Sequence, residues 1–206
     1  MDFRLYSDRS MIVAGPSQSG KSTFLLKLLT EKDEIFRSPI NRVVWAYGQY
    51  QHDFHQMLKK RGYVLHAGIP KVTDLHPHDI VIMDDLLAPS KDNKDMTTMF
   101  TQTAHHLPCF IVFVSQNIFP GGKEARTRSL NTHYYTVFKN PRDRSQIEFL
   151  ARQMLPGHSK AVVEAYNDAT GKPHGYLFFD FTQECPDEYR LRSNILDVPM
   201  TVYKLL

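Results

Sequence analysis

Gly15-Pro16-Ser17-Gln18-Ser19-Gly20-Lys21-Ser22 is a complete G-x-x-x-x-G-K-[ST] loop, and the residues on either side of it decide how the chain folds. Upstream, Met11-Ile12-Val13-Ala14 reads as a short buried strand; downstream, Ser22 to Leu29 carries apolar residues at helical spacing. Strand, glycine loop and helix in that order are the context in which this motif binds phosphate. The glycines let successive backbone N–H groups turn toward one anion, and the helix N-terminus adds the positive end of its dipole. Gly15, Pro16, Ser17, Gln18, Ser19, Gly20, Lys21, Ser22 and Thr23 are therefore the predicted nucleotide contacts. Lys21 would reach the β- and γ-phosphates, and the Ser22 hydroxyl would ligate Mg²⁺. The motif implies a site for a nucleoside triphosphate.

Outward from the loop, strand-like and helix-like segments alternate. Arg42 to Tyr47 reads as a strand, Gln51 to Arg61 as a helix, and Tyr63 to His66 as a short strand ended by Gly68 and Pro70. Asp79-Ile80-Val81-Ile82-Met83-Asp84-Asp85 is an apolar run closed by two carboxylates. Continuous apolarity, without alternation, marks a central parallel strand covered on both faces. A helix is expected over Asp92 to His106, a buried strand over Cys109 to Gln116, and a loop over Ile118 to Ser129. Tyr134 to Phe138 and Gly175 to Asp180 read as strands, Asp143 to Met154 and Ser159 to Ala169 as helices, and the tail from Thr182 as less regular. Such alternation gives an α/β fold with an open, mostly parallel sheet flanked by helices. One domain over residues 1–206 is expected, with its core at about 10–181 and a tail over 182–206.

Bulk properties agree with this reading. A chain of 206 residues with 42% hydrophobic and 23% charged residues has the composition of a globular protein, and its net charge of +3 permits a nucleic-acid partner. No apolar run approaches the roughly 20 residues of a membrane helix. The two cysteines, Cys109 and Cys185, lack metal-ligand spacing and fit a reducing, intracellular setting. The ten histidines show no zinc-site spacing, and no metal is assigned to them.

In open α/β sheets, ligands sit at the carboxyl ends of the strands. Three predicted strand ends are polar: Gly15, Asp84-Asp85 and Ser115-Gln116. Asp84 is placed as the acid that holds Mg²⁺, Asp85 as the group that orients or deprotonates the attacking water, and Gln116 as a contact to the γ-phosphate or that water. Stabilising the charge of the γ-phosphoryl group calls for a cation, often an arginine of a neighbouring subunit. Arg126, Arg128, Arg142 and Arg144 are the candidates. Lys91, Lys94, Lys123 and Arg128 suit contact with DNA phosphates. The guanine-reading Asn-Lys-x-Asp signature does not occur, which favours ATP over GTP.

With these residues placed, the chain resembles a known group, the FtsK–HerA branch of P-loop ATPases. Within it, the resemblance is to the packaging ATPases of poxviruses, other large DNA viruses, virophages and Maverick/Polinton-type elements. It rests on Gly15 to Ser22, Ile82-Met83-Asp84-Asp85-Leu86-Leu87 and Ser115-Gln116-Asn117-Ile118-Phe119. More particular to that group are Arg126-Thr127-Arg128-Ser129-Leu130-Asn131 and Phe138-Lys139-Asn140-Pro141-Arg142-Asp143. Glu164-Ala165-Tyr166-Asn167-Asp168-Ala169 and Lys172-Pro173-His174-Gly175-Tyr176-Leu177 join them. The resemblance implies a RecA/FtsK–HerA-like P-loop domain using ATP and Mg²⁺. It also implies a homo-oligomeric ring, a hexamer or pentamer, at a capsid vertex, driving double-stranded DNA into a preformed shell through sequence-independent backbone contacts. Such a protein has no membrane span and works inside the host cell, in nucleus or cytoplasm, or in association with virions.

Three other readings share parts of the site. A small P-loop kinase could use Arg142 and Arg144 as a phosphate-clamping lid, although paired acids and a glutamine suit water activation better. A helicase or partition ATPase would share the whole site. A nucleotide-gated assembly protein would bind and barely turn over.

Overall fold

The computed structural model describes residues 2–86, 107–119 and 129–204. The helix expected over Asp92 to His106, and Lys91, Lys94, Lys123, Arg126 and Arg128, lie outside them, as does most of the loop expected from Ile118 to Ser129. Strand β1 (Ser10–Ala14) runs into the glycine loop and helix α1 (Lys21–Thr30), followed by a single turn, α2 (Lys32–Ile35). Then come β2 (Arg42–Tyr47), α3 (His52–Lys60), β3 (Val64–Ala67), β4 (Asp79–Asp84), β5 (Phe110–Ser115) and β6 (Tyr134–Phe138). Helices α4 (Ser145–Met154) and α5 (Ser159–Ala169) lead to β7 (Tyr176–Asp180), β8 (Leu191–Ser193) and β9 (Thr201–Tyr203).

The strands form one nine-stranded sheet in the order β3-β2-β4-β5-β1-β6-β7-β8-β9. From β3 to β6 every pairing is parallel, while β7, β8 and β9 add on antiparallel. Apolar layers cover both faces. Met11, Val13, Trp45, Ile80 and Ile82 pack with Phe24, Leu25, Leu28 and Leu29 of α1. Ile12, Ala46, Val81, Met83 and Phe113 pack with Ile147 and Leu150 of α4 and Val162 of α5. Because each central strand is buried on both sides, its sequence is apolar throughout, and that is what made β1, β2, β4 and β5 readable.

Register sets the site. Ala14 pairs with Ser115, Met83 with Phe113, and Tyr47 with Asp84. The polar ends of β1, β2, β4 and β5 therefore emerge at one level of one edge. Within the tail over 182–206, β8 and β9 extend the sheet. Arg192 of β8 is 2% exposed and forms an ion pair with Asp180 of β7. A buried arginine in a three-residue strand gives no apolar pattern, and its pairing depends on a contact distant in sequence.

Candidate active site

The glycine loop is shaped by close approach. A side chain at Gly15 would meet Cβ of Phe138 at 2.7 Å and the Ser19 hydroxyl at 2.8 Å. Gly20 sits at φ 106°, a left-handed conformation that a side chain would strain, and starts α1. The first turn of α1 holds no acidic residue, so its free N–H groups and dipole face the loop uncompensated. Lys21 Nζ donates to the carbonyls of Gly15 (2.7 Å) and Pro16 (2.9 Å), which holds the loop closed on itself. Desolvation lowers the Lys21 pKa, and the Asp84 carboxylate opposes that shift.

Beside the loop lies a cavity of about 600 Å³ lined by Lys21, Ser22, Asp84, Asp85 and Gln116, with Ser17 and Gln18 at its edge. The predicted residues at the ends of β4 and β5 thus share one space with the loop that follows β1. Burial pushes the Asp84 carboxyl pKa up, the Asp85 carboxylate adds to it, and Lys21 pulls it back. Asp85 is exposed at the cavity and held at φ 54°, a backbone conformation unusual outside glycine. What permits this is Gly48 after β2: a Cβ there would sit 2.1 Å from the Asp85 carbonyl oxygen. The sequence reading passed over Gly48, whose only local signal was a glycine closing a strand. It also passed over Tyr47, Gln49 and His55, which line the same cavity.

The Ser22 hydroxyl and the Asp84 carboxylate are hard oxygen donors of the kind Mg²⁺ takes alongside nucleotide phosphates, and both line this cavity. The donor set fits that ion. Among the described residues no group of three or more His, Cys, Asp or Glu is placed to hold a metal without such phosphates.

Arg142 and Arg144 are exposed on the turn between β6 and α4, at the same sheet edge. Asn140 Oδ1 accepts from the backbone N–H of Arg142 (3.1 Å) and Asp143 (3.3 Å). Gln146 ties this turn to the exit of β5: its Nε2 donates to Asp143 Oδ2 (2.6 Å) and Asn117 Oδ1 (3.1 Å), and its Oε1 accepts from the Ile118 N–H (2.7 Å). The turn that carries both arginines is thereby braced against the segment after Gln116.

No family model matches the chain, and no curated protein matches it either. Solved structures do. B204, the DNA-packaging ATPase from Sulfolobus Turreted Icosahedral Virus, superposes over 98% of this chain and 100% of its own, with a TM-score of 0.59 at 10% identity. The genome packaging NTPase B204 from Sulfolobus turreted icosahedral virus 2 matches in complex with ATP-gammaS (TM-score 0.57, 10% identity, 97% and 98% of the two chains). It matches in complex with AMPPCP as well (TM-score 0.59, 11% identity, 97% and 98%). This chain has the B204 fold. The likeness runs nearly end to end, as expected for a P-loop protein resembling a viral packaging ATPase.

The B204-like sheet places a second cavity, of about 300 Å³, on the other side of the loop. Gly20, Thr23 and Phe24 of the loop and α1 meet Phe138, Tyr176 and Leu196 there. His174 lies over Gly20, with its Nδ1 3.2 Å from the Ser19 carbonyl oxygen. Lys27 and Asp197 form an ion pair at the same cavity. Nothing local in the sequence announced this wall, because it is brought in by β6, β7 and the tail.

Proposed function

We propose that this chain is an ATPase that drives double-stranded DNA into a preformed viral or virus-like capsid. The observation that carries it is one cavity joining the phosphate loop, Asp84-Asp85 and Gln116, in a chain with the B204 fold over nearly its whole length. The triphosphate lies along the loop, taking over the Lys21 bonds now made to Gly15 and Pro16. The nucleoside extends past Thr23 into the apolar cavity between Phe138, Tyr176 and Leu196. Ser22 and Asp84 would hold Mg²⁺, which would supply positive charge to the phosphate chain. Asp85 orients the attacking water and accepts its proton, and Gln116 contacts the γ-phosphate or that water. Arg142 or Arg144, or Arg126 or Arg128 outside the described residues, reaches a neighbouring subunit's γ-phosphate in a ring. Lys91, Lys94, Lys123 and Arg128 would meet the DNA backbone. Among the described residues no helix is long and apolar enough to cross a membrane.

The test is ATP hydrolysis by the purified protein with and without long double-stranded DNA, with oligomeric state read in the same samples. DNA-stimulated turnover accompanied by ring formation is expected. DNA-independent turnover by a monomer would retain the ATPase, remove the translocase and turn attention to small phosphate acceptors.

A further inference from the structure

Gln116 is exposed just past the end of β5, yet the chain on either side of it is fastened. Before it, the Ser115 carbonyl accepts from the Gly15 N–H at 3.1 Å, which ties β5 to the phosphate loop. The buried Ser115 hydroxyl closes around Gln116: it donates to the Asn117 carbonyl (2.6 Å) and accepts from the Asn117 N–H (3.1 Å). After it, Asn117 and Ile118 are both held by one side chain, that of Gln146 on α4. Ile118 offers that carboxamide an N–H and Asp143 a carboxylate oxygen, so only one of its two orientations satisfies both. Hydrogen bonds from Ser145, then from Gln146, hold the Asp143 carboxyl below its ordinary value and keep it an acceptor. Farther along the same segment, Phe119 packs edge-on against Phe149 at 5.2 Å. Gln146 and Phe149 are three residues apart on α4, so one helix face carries the whole exit from β5.

A glutamine that acts on a γ-phosphate or a water has to be held in place, because a misplacement of about 1 Å can cost about 100-fold in rate. We propose that Gln146 is a positioning residue for Gln116: its carboxamide fixes the two residues that follow Gln116 and so sets where Gln116 stands in the active-site cavity. Gln116 lines that cavity, and it also lines a small one shared with Gly15, Asp143 and Gln146. Bracing the arginine turn is then half of what Gln146 does. Its other half reaches the group that meets the γ-phosphate. The assignment rests on the proposed part of Gln116 in hydrolysis.

The experiment is a double-mutant cycle on the full chain, reading ATP turnover and ATPγS affinity in wild type, Gln146→Met, Gln116→Ala and the double variant. Methionine keeps the length of the side chain and removes its hydrogen bonds. Gln146→Met should lower kcat about 10- to 100-fold and leave ATPγS affinity unchanged. Gln116→Ala should fall at least as far, and adding Gln146→Met to it should cost nothing more, since a residue acting only through Gln116 has nothing left to position. An unchanged kcat in Gln146→Met, an equal loss of affinity, or losses that add in the double variant would overturn the assignment and leave Gln146 a brace of the turn. If Gln146→Met does not fold, Asn117→Ala takes its place, because it removes one leg of the brace at an exposed position. It should lower kcat in the wild-type background and not in Gln116→Ala, and any other pattern would overturn the proposal. Wild-type turnover in Gln116→Ala would overturn the reading of Gln116 and this inference together. A slow Gln116→Ala with additive losses sinks the inference alone.

Discussion

The two sides of the glycine loop are built from different parts of the chain and do different work. On one side the parallel strands deliver Asp84, Asp85 and Gln116 into a polar cavity. On the other, β6, the antiparallel β7 and the tail deliver Phe138, Tyr176 and Leu196 into an apolar one. Under the proposed function the first side would handle charge that changes during a reaction, and the second would offer contacts that stay the same before and after it. Interactions equal in ground and transition states set affinity, while those stronger in the transition state set rate. Substitutions on the two sides should therefore separate into rate effects and binding effects.

Lys21→Ala should give the largest effect, because Lys21 stands where the sides meet: turnover falls about 100- to 1000-fold, as for loss of an aimed charge donor, and nucleotide binding weakens too. A turnover assay with a parallel binding titration checks both. Asp85→Asn isolates the polar side: turnover drops about 100-fold while ATP affinity stays. Normal hydrolysis in that variant would move the water-orienting role to Gln116. His174→Ala isolates the apolar side, and ATP and ADP affinities should fall together by about tenfold, a difference of about 1.4 kcal/mol, with kcat unchanged. A drop in kcat at constant affinity would break the comparison.

The smallest effect is on stability. The folded pKa of Asp84 is raised chiefly by burial, so the fold favours its protonated form. Ionising it costs stability, and that loss grows as pH rises from the ordinary carboxyl value of 3.8 through the raised one. Asp84→Asn should melt about 2–4 °C higher than wild type at neutral pH without nucleotide, as roughly 1 kcal/mol does in a chain of this size. The gap should close on acidification below the ordinary carboxyl value, and a gap independent of pH would refute the cause. The same variant should lose Mg²⁺-dependent turnover.

The same division explains what was legible in the sequence. On the polar side Lys21, Ser22, Asp84, Asp85 and Gln116 were readable because each ends an apolar run or belongs to a spaced motif, and both are local signals. Gly48 was not, since its need for a bare Cα arises from the Asp85 carbonyl across the β2–β4 pairing. Nor was His174, whose place over Gly20 depends on the turn before β7, or β8, where a buried Arg192 answers Asp180.

The lysine that bridges the Gly15 and Pro16 carbonyls has one more consequence. Any anion entering the loop has to outcompete these two bonds, which set a threshold. A lone inorganic phosphate, offering few oxygens, should seldom cross it; a polyphosphate that satisfies the amides and the ammonium at once should. The loop would then ignore the small anions of its surroundings and answer to chain length, before any base is inspected.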